Sequence, residues 1–459
     1  MAPFGWINEA TKYIHDWITY QKLIDSITPG YSVCIAHKGS VILEQGFGFS
    51  DLEKKSSMTE QNLFRVASHS KNFTAVAIMQ LVESGKICLE DFVSWHLEFL
   101  KNNPDKRVHR ITIQQLLNHR AGVYRDGASP SFWRLQRPFP TLADLVSAYE
   151  AEALIIDSDT RFKYSNYAYA LLGLLIEEIS DLSYQEYMER YIFKVIGLES
   201  TGTDYNPVMQ SYVTGYSNIM PDGSQFPIPS SIEANYYKGA IGFYSTAKDL
   251  CSFYSALILE KEILISNETK YNMLLNSKYE VPDINSAYSY AYGFASETIE
   301  GFKLFGHSGG FPGQTTKSLF HLNDGIVVSV LTNSYCARAE NLQKGIWSIL
   351  SFFKENYSPS SISENIGGFY YDMAGVIGIT PMGEKVYVSN PSQVEPFKVV
   401  SELERSDKAF KITKENGFGS YGEMVEFITE NEEVRFVNYA GYPKYRHQIN
   451  QIPEERIGN

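Results

Sequence analysis

Two apolar runs rich in β-branched residues, TTKSLFHL (315–322) and GIVVSVLTN (325–333), flank Asn323-Asp324-Gly325. That turn chemistry between two such runs predicts a β-hairpin. A second hairpin is predicted near the other end of the chain, where YSVCIAHKGSVILEQGFGFSD (31–51) reads as two strands about Lys38-Gly39. SYAYGFASETIEGFKLFGHSG (289–309) adds further strands. Between these ends, from about 90 to 250, the pattern is mostly helical, broken by loops rich in Pro, Gly and Asp. Strands that open and close the first 357 residues predict one antiparallel sheet drawn from both ends, flanked by helices and carrying a helical insertion, an α+β class.

Helices are predicted over 7–27, ending before Thr28-Pro29-Gly30, over 72–84, ending at Gly85 and apolar on most faces, and over 339–357. YSPSSISEN (357–365) reads as a linker. Beyond it, 366–447 alternates with period two between turns at Pro381-Met382-Gly383-Glu384, Glu415-Asn416-Gly417 and Asn431-Glu432-Glu433. The expected organisation is a domain over 1–356, the linker 357–365, and a small all-β, barrel-like domain over 366–459.

The 459 residues carry a net charge of −13 with no block of Lys or Arg, which argues against a nucleic-acid partner. No apolar run reaches the ~18 residues that would span a bilayer. The start, MAPFGWINEATKYIHDW, lacks the basic, apolar and small-residue pattern of a secretory signal, so a cytoplasmic protein is expected, or an exported one if a leader has been removed. Cys34, Cys88, Cys251 and Cys336 are scattered beside apolar residues and are expected to be buried free thiols. No metal or cofactor motif is present, and a small molecule or short peptide is the expected substrate.

Gly306-His307-Ser308-Gly309-Gly310 matches the G-x-S-x-G nucleophile elbow in letters. An elbow needs a helix directly after its serine. Here Phe311-Pro312-Gly313 leads into a hairpin instead, so Ser308 is read as lining a cleft. Gly417-Phe418-Gly419-Ser420-Tyr421-Gly422 matches G-x-G-x-x-G but lies in the all-β tail, without the strand–helix unit a dinucleotide needs.

Ser68-His69-Ser70-Lys71 gives S-x-x-K at the start of a helix, where residues three apart share a face. A lysine can activate a serine hydroxyl if burial disfavours its charged form. The spacing alone is weak evidence. A second copy, Ser245-Thr246-Ala247-Lys248, reads as a helix cap with Asp249 as its acid. Partners in order strengthen the first copy: Tyr164-Ser165-Asn166 before an apolar helix, then His307-Ser308-Gly309 late in a strand. With S-x-x-K, Y-x-N and H-x-G in this order, the chain resembles the serine penicillin-binding protein and class C β-lactamase superfamily, in its D-aminopeptidase and esterase branch. SHSKNFTAVAIMQLVESGKICLED, ITIQQLLNHRAGV and GAIGFYSTAKDL add to the likeness, which covers about 30–350.

The resemblance implies that Ser68 attacks a carbonyl to form an acyl-enzyme, while Lys71 and Tyr164 shuttle the proton. It implies a Tyr164 phenol lowered by nearby cations, Asn166 on the substrate's amide carbonyl, and an oxyanion hole from the N–H groups of Ser68 and Gly310. Ser308 and Gly309 would line the substrate, and His119 would hold a loop. Most penicillin-recognising members carry lysine where this chain has His307. An imidazole, mostly neutral at pH 7, demands a carboxylate less strongly, which favours amides with a free amino end. The rival readings are a carboxylesterase, a β-lactamase or D-Ala-D-Ala carboxypeptidase, and a catalytically silent scaffold. The tail resembles the lipocalin-like extra domains of that branch, which implies a part in cleft shape and homo-oligomer formation.

Overall fold

The strong turn chemistry at both ends of the first 350 residues is realised in a computed structural model, which describes residues 5–258, 261–276, 279–280, 288–336, 338–362, 364–407, 409–415, 419–430 and 433–446. Strands β1 (Gly30–His37) and β2 (Ser40–Asp51) pair through a two-residue turn. Lys38 and Gly39 there take φ of 51° and 86°, the conformation that matches the twist of a tight hairpin. After β3 (Ser56–Ser57), the sheet resumes late in the chain with β4 (Tyr279–Glu280), β5 (Ser289–Tyr290), β6 (Ala295–Ile299), β7 (Phe302–Phe311), β8 (Gln314–His321) and β9 (Ile326–Thr332). Among the described residues these nine form one antiparallel sheet in the order β3-β2-β1-β9-β8-β7-β6-β5-β4. The two chain ends join where Tyr31 to His37 pair with Thr332 to Ile326. At the far end of that pair the two hairpin turns touch, Lys38 N donating to Gly325 O at 2.7 Å.

The chain divides into two compact units, Ser26–Gln343 and a second made of Met1–Asp25 with Lys344–Asn459. In the first, helices α2 (Ser70–Glu83) and α3 (Asn166–Ser180) form the centre of a large core, with eleven buried residues each. A further helix, Ala247–Ala256, packs on β1 and β9. The stretch from 90 to 250 is less helical than its periodicity predicts. Its α-helices are short (Ile113–Leu117, Leu142–Ala151, Tyr184–Met188) apart from α3, and much of the rest is 3-10 and π turns and irregular chain. Buried aromatics there satisfy an apolar pattern without regular helix. The second S-x-x-K is a cap: Thr246 accepts from Asp249 N at 3.1 Å. The Asp249 carboxylate, however, accepts from Thr201 and Ser200, not from the cap's own backbone.

In the second unit, helix α1 (Gly5–Ile24) buries Ile7, Ile14, Trp17 and Ile18. Tyr13 OH meets Ser389 Oγ at 2.7 Å, and Trp17 Nε1 donates to Gln393 O at 3.2 Å. The strands from Gly368–Asp372 to Tyr442–Tyr445 close into an eight-stranded barrel filled by Ile379, Val386, Leu403, Ile412, Val425 and Val437. Parts of the expected turns at 415–417 and 431–433, and the start of the Gly417–Gly422 motif, lie outside the described residues. Cys34 and Cys251 are buried free thiols as expected, but Cys88 is exposed and Cys336 half-buried. Apolar neighbours in sequence did not guarantee burial in space. No described helix is long and apolar enough to cross a membrane.

Candidate active site

A single 3-10 turn, Ala67–His69, leads straight into α2. Ala67 takes a left-handed φ of 49°, uncommon for a residue with a Cβ. Ser68 is half-buried and lines a cavity of about 760 Å³, while Ala67, His69, Ser70 and Lys71 on either side are buried. Polar bonds inside the core pin this turn. His69 Nδ1 meets Tyr254 OH at 2.7 Å, Tyr254 donates to Asn72 Oδ1 at 2.8 Å, and Asn72 donates to Gly293 O at 2.7 Å.

Lys71 reaches back one turn, as residues three apart on a helix do. Its Nζ lies 3.1 Å from Ser68 Oγ, 2.6 Å from Asn166 Oδ1 and 2.8 Å from Ala240 O. Burial pushes the lysine well below its ordinary range; the negative charge of Asp126 opposes the shift and the positive charge of Arg125 adds to it. As a neutral amine Lys71 has two N–H donors. The oxygens of Asn166 and Ala240 take both, which turns the lone pair toward the Ser68 hydroxyl. Tyr164, in the loop before α3, brings its OH to 2.9 Å from Ser68 Oγ. Its phenol is not lowered, as nearby cations had implied. Burial raises it, and the Ser68 bond and the Arg125 charge offset that only in part. Tyr164 is therefore a neutral phenol across the ordinary pH range.

Asn166 opens α3 directly after its N-cap, Ser165, whose Oγ accepts from Ala168 N at 2.8 Å. The Asn166 amide is held at both ends: Oδ1 faces Lys71, and Nδ2 donates to Asp126 Oδ1 at 2.7 Å. One of its two amide hydrogens is thus taken by Asp126, which leaves the other for the substrate carbonyl that the resemblance implies. His119, with φ of 60°, accepts from Ser165 N at 3.1 Å, and its ring centre lies 4.3 Å from that of Tyr164 at a tilt of 42°. It ties down the loop that carries Tyr164 and Asn166.

Strand β7 brings His307, Ser308 and Gly310 to the same cavity, with Gly309 buried between them. His307 Nδ1 lies 2.6 Å from Ser308 O. A carbonyl can only accept, so Nδ1 carries the proton and Nε2 accepts from Tyr290 OH at 3.1 Å. Burial, then the charge Lys71 carries when protonated, pushes this imidazole down to about 3, so it is neutral and both its nitrogens are engaged. Ser308 is exposed on the cavity wall, beyond the end of β6's pairing with β7, and lies opposite Lys317 of β8. A Cβ on Gly309 would fall 2.2 Å from Val66 O, whereas one on Gly310 would meet open space. Gly309 thus allows β7 to lie against the backbone just before the Ser68 turn. Gly310 lines the cavity. Among the described residues no group of three His, Cys, Asp or Glu side chains could hold a metal ion.

No motif in the sequence marks Asp126, Arg125 or Tyr290. The first two follow LLNHRAGVY directly, and Tyr290 sits in a strand recognised only as a strand. An acid and a base side by side in a loop between two motif-bearing segments was the one available signal.

A helix-flanked antiparallel sheet in which S-x-x-K, Y-x-N and H-x-G converge on one cavity defines the superfamily of serine β-lactamase and penicillin-binding-protein-like hydrolases. The chain belongs to the beta-lactamase family, whose model matches residues 20–342. Protein flp of Staphylococcus aureus (strain MW2) is 32% identical over 173 residues, 38% of this chain and 34% of that protein. The chain thus matches about a third of the length of that relative. Penicillin-binding protein 4* of Bacillus subtilis (strain 168) is 27% identical over 321 residues, 66% of this chain and 67% of its own. The octameric penicillin-binding protein homologue from Pyrococcus abyssi superposes with a TM-score of 0.64 at 22% identity, covering 96% of this chain and 100% of that one. EstCE1, a hydrolase with promiscuous acyltransferase activity, gives 0.63 at 20% identity, covering 75% of this chain and 99% of its own. The D-amino acid amidase from Ochrobactrum anthropi SV3, solved with D-phenylalanine, gives 0.62 at 20%, with 75% and 98% covered. At such identities these likenesses establish the fold alone.

Proposed function

We propose that this chain is a serine amidase of the D-aminopeptidase kind, cleaving small D-amino-acid amides or peptides through an acyl-enzyme on Ser68. The observation that carries this reading is the convergence of Lys71 Nζ and Tyr164 OH on Ser68 Oγ, at 3.1 and 2.9 Å. In the proposed cycle neutral Lys71 takes the Ser68 proton as Oγ adds to the substrate carbonyl. The oxyanion faces the N–H groups of Ser68 and Gly310. Tyr164 then gives its proton to the leaving nitrogen and is reprotonated from Lys71, the amine departs, and water hydrolyses the acyl group by the reverse relay. Asn166 holds Lys71 and keeps one N–H for the substrate's amide carbonyl, Ser308 borders the substrate, and Gly309 lets β7 approach the Ser68 turn.

Two features support an amino end on the substrate. His307 is neutral with both nitrogens engaged, so that position supplies no cation for a carboxylate. Asp126, on the cavity wall beside Asn166, accepts from Asn166 and pairs with Arg125, and the lone pairs left on its carboxylate can still receive an ammonium group. A solved protein of this fold is a D-amino acid amidase, which agrees with the reading. We also propose self-association through the barrel-bearing unit, since the Pyrococcus abyssi homologue is octameric; a monomeric mass in light scattering would remove that claim.

The test compares wild type with Ser68→Ala on D-alanine p-nitroanilide, its L enantiomer, a short-chain p-nitrophenyl ester and a chromogenic cephalosporin. Cleavage of the D-anilide, lost by about a thousandfold or more in Ser68→Ala, is expected. Turnover of the ester alone makes the chain an esterase, and full activity in Ser68→Ala displaces Ser68 as nucleophile.

A further inference from the structure

The cavity that holds Ser68 has a second charged wall. Its lining includes Ser131, Trp133 and Arg134 from the 3-10 turn Ser131–Arg134. An aromatic cluster anchors that turn. Phe132 packs 4.8 Å from Phe139 and 5.3 Å from Tyr237, and Trp133 meets Phe139 edge-on at 5.3 Å. Neighbouring arginines are spoken for. Arg125 Nε pairs with Asp126 at 3.2 Å, and Arg137 donates to Ser129 O and lies over the Phe132 ring. Among the described residues the Arg134 guanidinium has no ion pair or hydrogen bond, and the Ser131 hydroxyl has none either. The charged residues that line the cavity are Arg125, Asp126 and Arg134, so it carries a net positive charge on a chain of net −13.

An unpaired guanidinium beside a free hydroxyl, held on a packed turn, is carboxylate-binding chemistry. We propose that Ser131 and Arg134 form a subsite for the carboxylate at the leaving-group end of the substrate, so that the chain acts on short peptides with a free C-terminus. This rests on the amidase reading of Ser68 and narrows it. A dipeptide then spans the cavity with its ammonium at Asp126 and its carboxylate at Arg134. The anion site missing at His307 is supplied by a different element, on the far side of the scissile bond from the amino end. A volume of about 760 Å³ accommodates such a ligand.

Binding tests the subsite without any need for turnover. With Ser68→Ala in the full chain, calorimetry would compare D-alanyl-glycine with D-alanyl-glycinamide, which differ in the terminal carboxylate. The acid is expected to bind about fivefold tighter, the range of an exposed charge pair. Adding Arg134→Gln should remove that preference, and Arg134→Lys should restore part of it, with unchanged melting temperatures confirming the fold. If Ser68→Ala binds the acid no tighter than the amide, or if Arg134→Gln weakens both alike, the subsite is wrong. The amidase reading is judged separately, by turnover of D-alanine p-nitroanilide in the wild type.

Discussion

At Ser68 the distances leave one protonation state able to start the proposed chemistry. A charged Lys71 would spend all three N–H bonds on the oxygens of Ser68, Asn166 and Ala240 and could accept nothing. Only the neutral amine is a base, and burial favours it. The rate should therefore rise with pH as Lys71 deprotonates, at a pH well below the ordinary lysine value of about 10.4. A kcat/KM profile on the ester reads this directly. Lys71→Arg, which stays charged, should abolish it. Asp126 opposes the lysine's shift and holds the Asn166 amide. Asp126→Asn should then move the same limb to lower pH, because a charge that favours the ammonium is gone. It should also lower kcat by roughly tenfold through loss of a charge-assisted bond. An unchanged limb would show that Asp126 does not act through Lys71. Ser68, Lys71, Tyr164 and Asn166 were legible because their spacing is set by one helix turn or one cap. Asp126 and Tyr290 were not, since neither belongs to a spaced motif and their partners, Asn166 and His307, meet them only in the fold.

Strand β7 does at the element scale what the elbow reading could not. Its approach to the Ser68 turn depends on Gly309, where an added Cβ would strike Val66 O at 2.2 Å and Thr316 Oγ1 at 2.4 Å. Backbone cannot yield there as a flexible side chain could. Gly309→Ala should cost about 1–3 kcal/mol of stability and reduce kcat, because β7 carries Gly310 toward the proposed oxyanion position. Gly310→Ala meets no atom within 4 Å and should leave the melting temperature nearly unchanged. Thermal melts of the two variants check the contrast, and equal melting temperatures would contradict it. The hairpins β1–β2 and β8–β9 were legible in the sequence, for Lys38-Gly39 and Asp324-Gly325 are local turn signals that act without tertiary help. The stretch from 90 to 250 is less helical than its apolar pattern predicts. Its apolar side chains, such as Phe132 and Phe139, are buried from turns and irregular chain, which leaves the same composition without the same period.

For the whole molecule, the least legible feature is the partner of the first helix. Its apolar spacing predicted a helix, and a helix it is, but nothing in that spacing said which surface it would bury against. Tyr13, Trp17 and Gln21 are buried and bond to Ser389, Gln393 O and Pro391 O, and the Tyr13 ring lies 4.7 Å from Phe397. The chain's first 25 residues and its last 116 thus form one compact unit. Cutting the chain at Ser361 would remove those partners and bare two large aromatic side chains together with a glutamine amide that would lose its carbonyl. Burial of each aromatic is worth about 1.5–3 kcal/mol, so a truncated protein should melt at a clearly lower temperature and tend to aggregate. Removing 1–25 alone should have a matching effect, because the same surface is exposed from the other side. The measurement is a pair of melting curves with light scattering on the two truncations. A Ser361 truncation that melts and scatters like the full chain would mean that the first helix does not depend on the barrel segment for its burial.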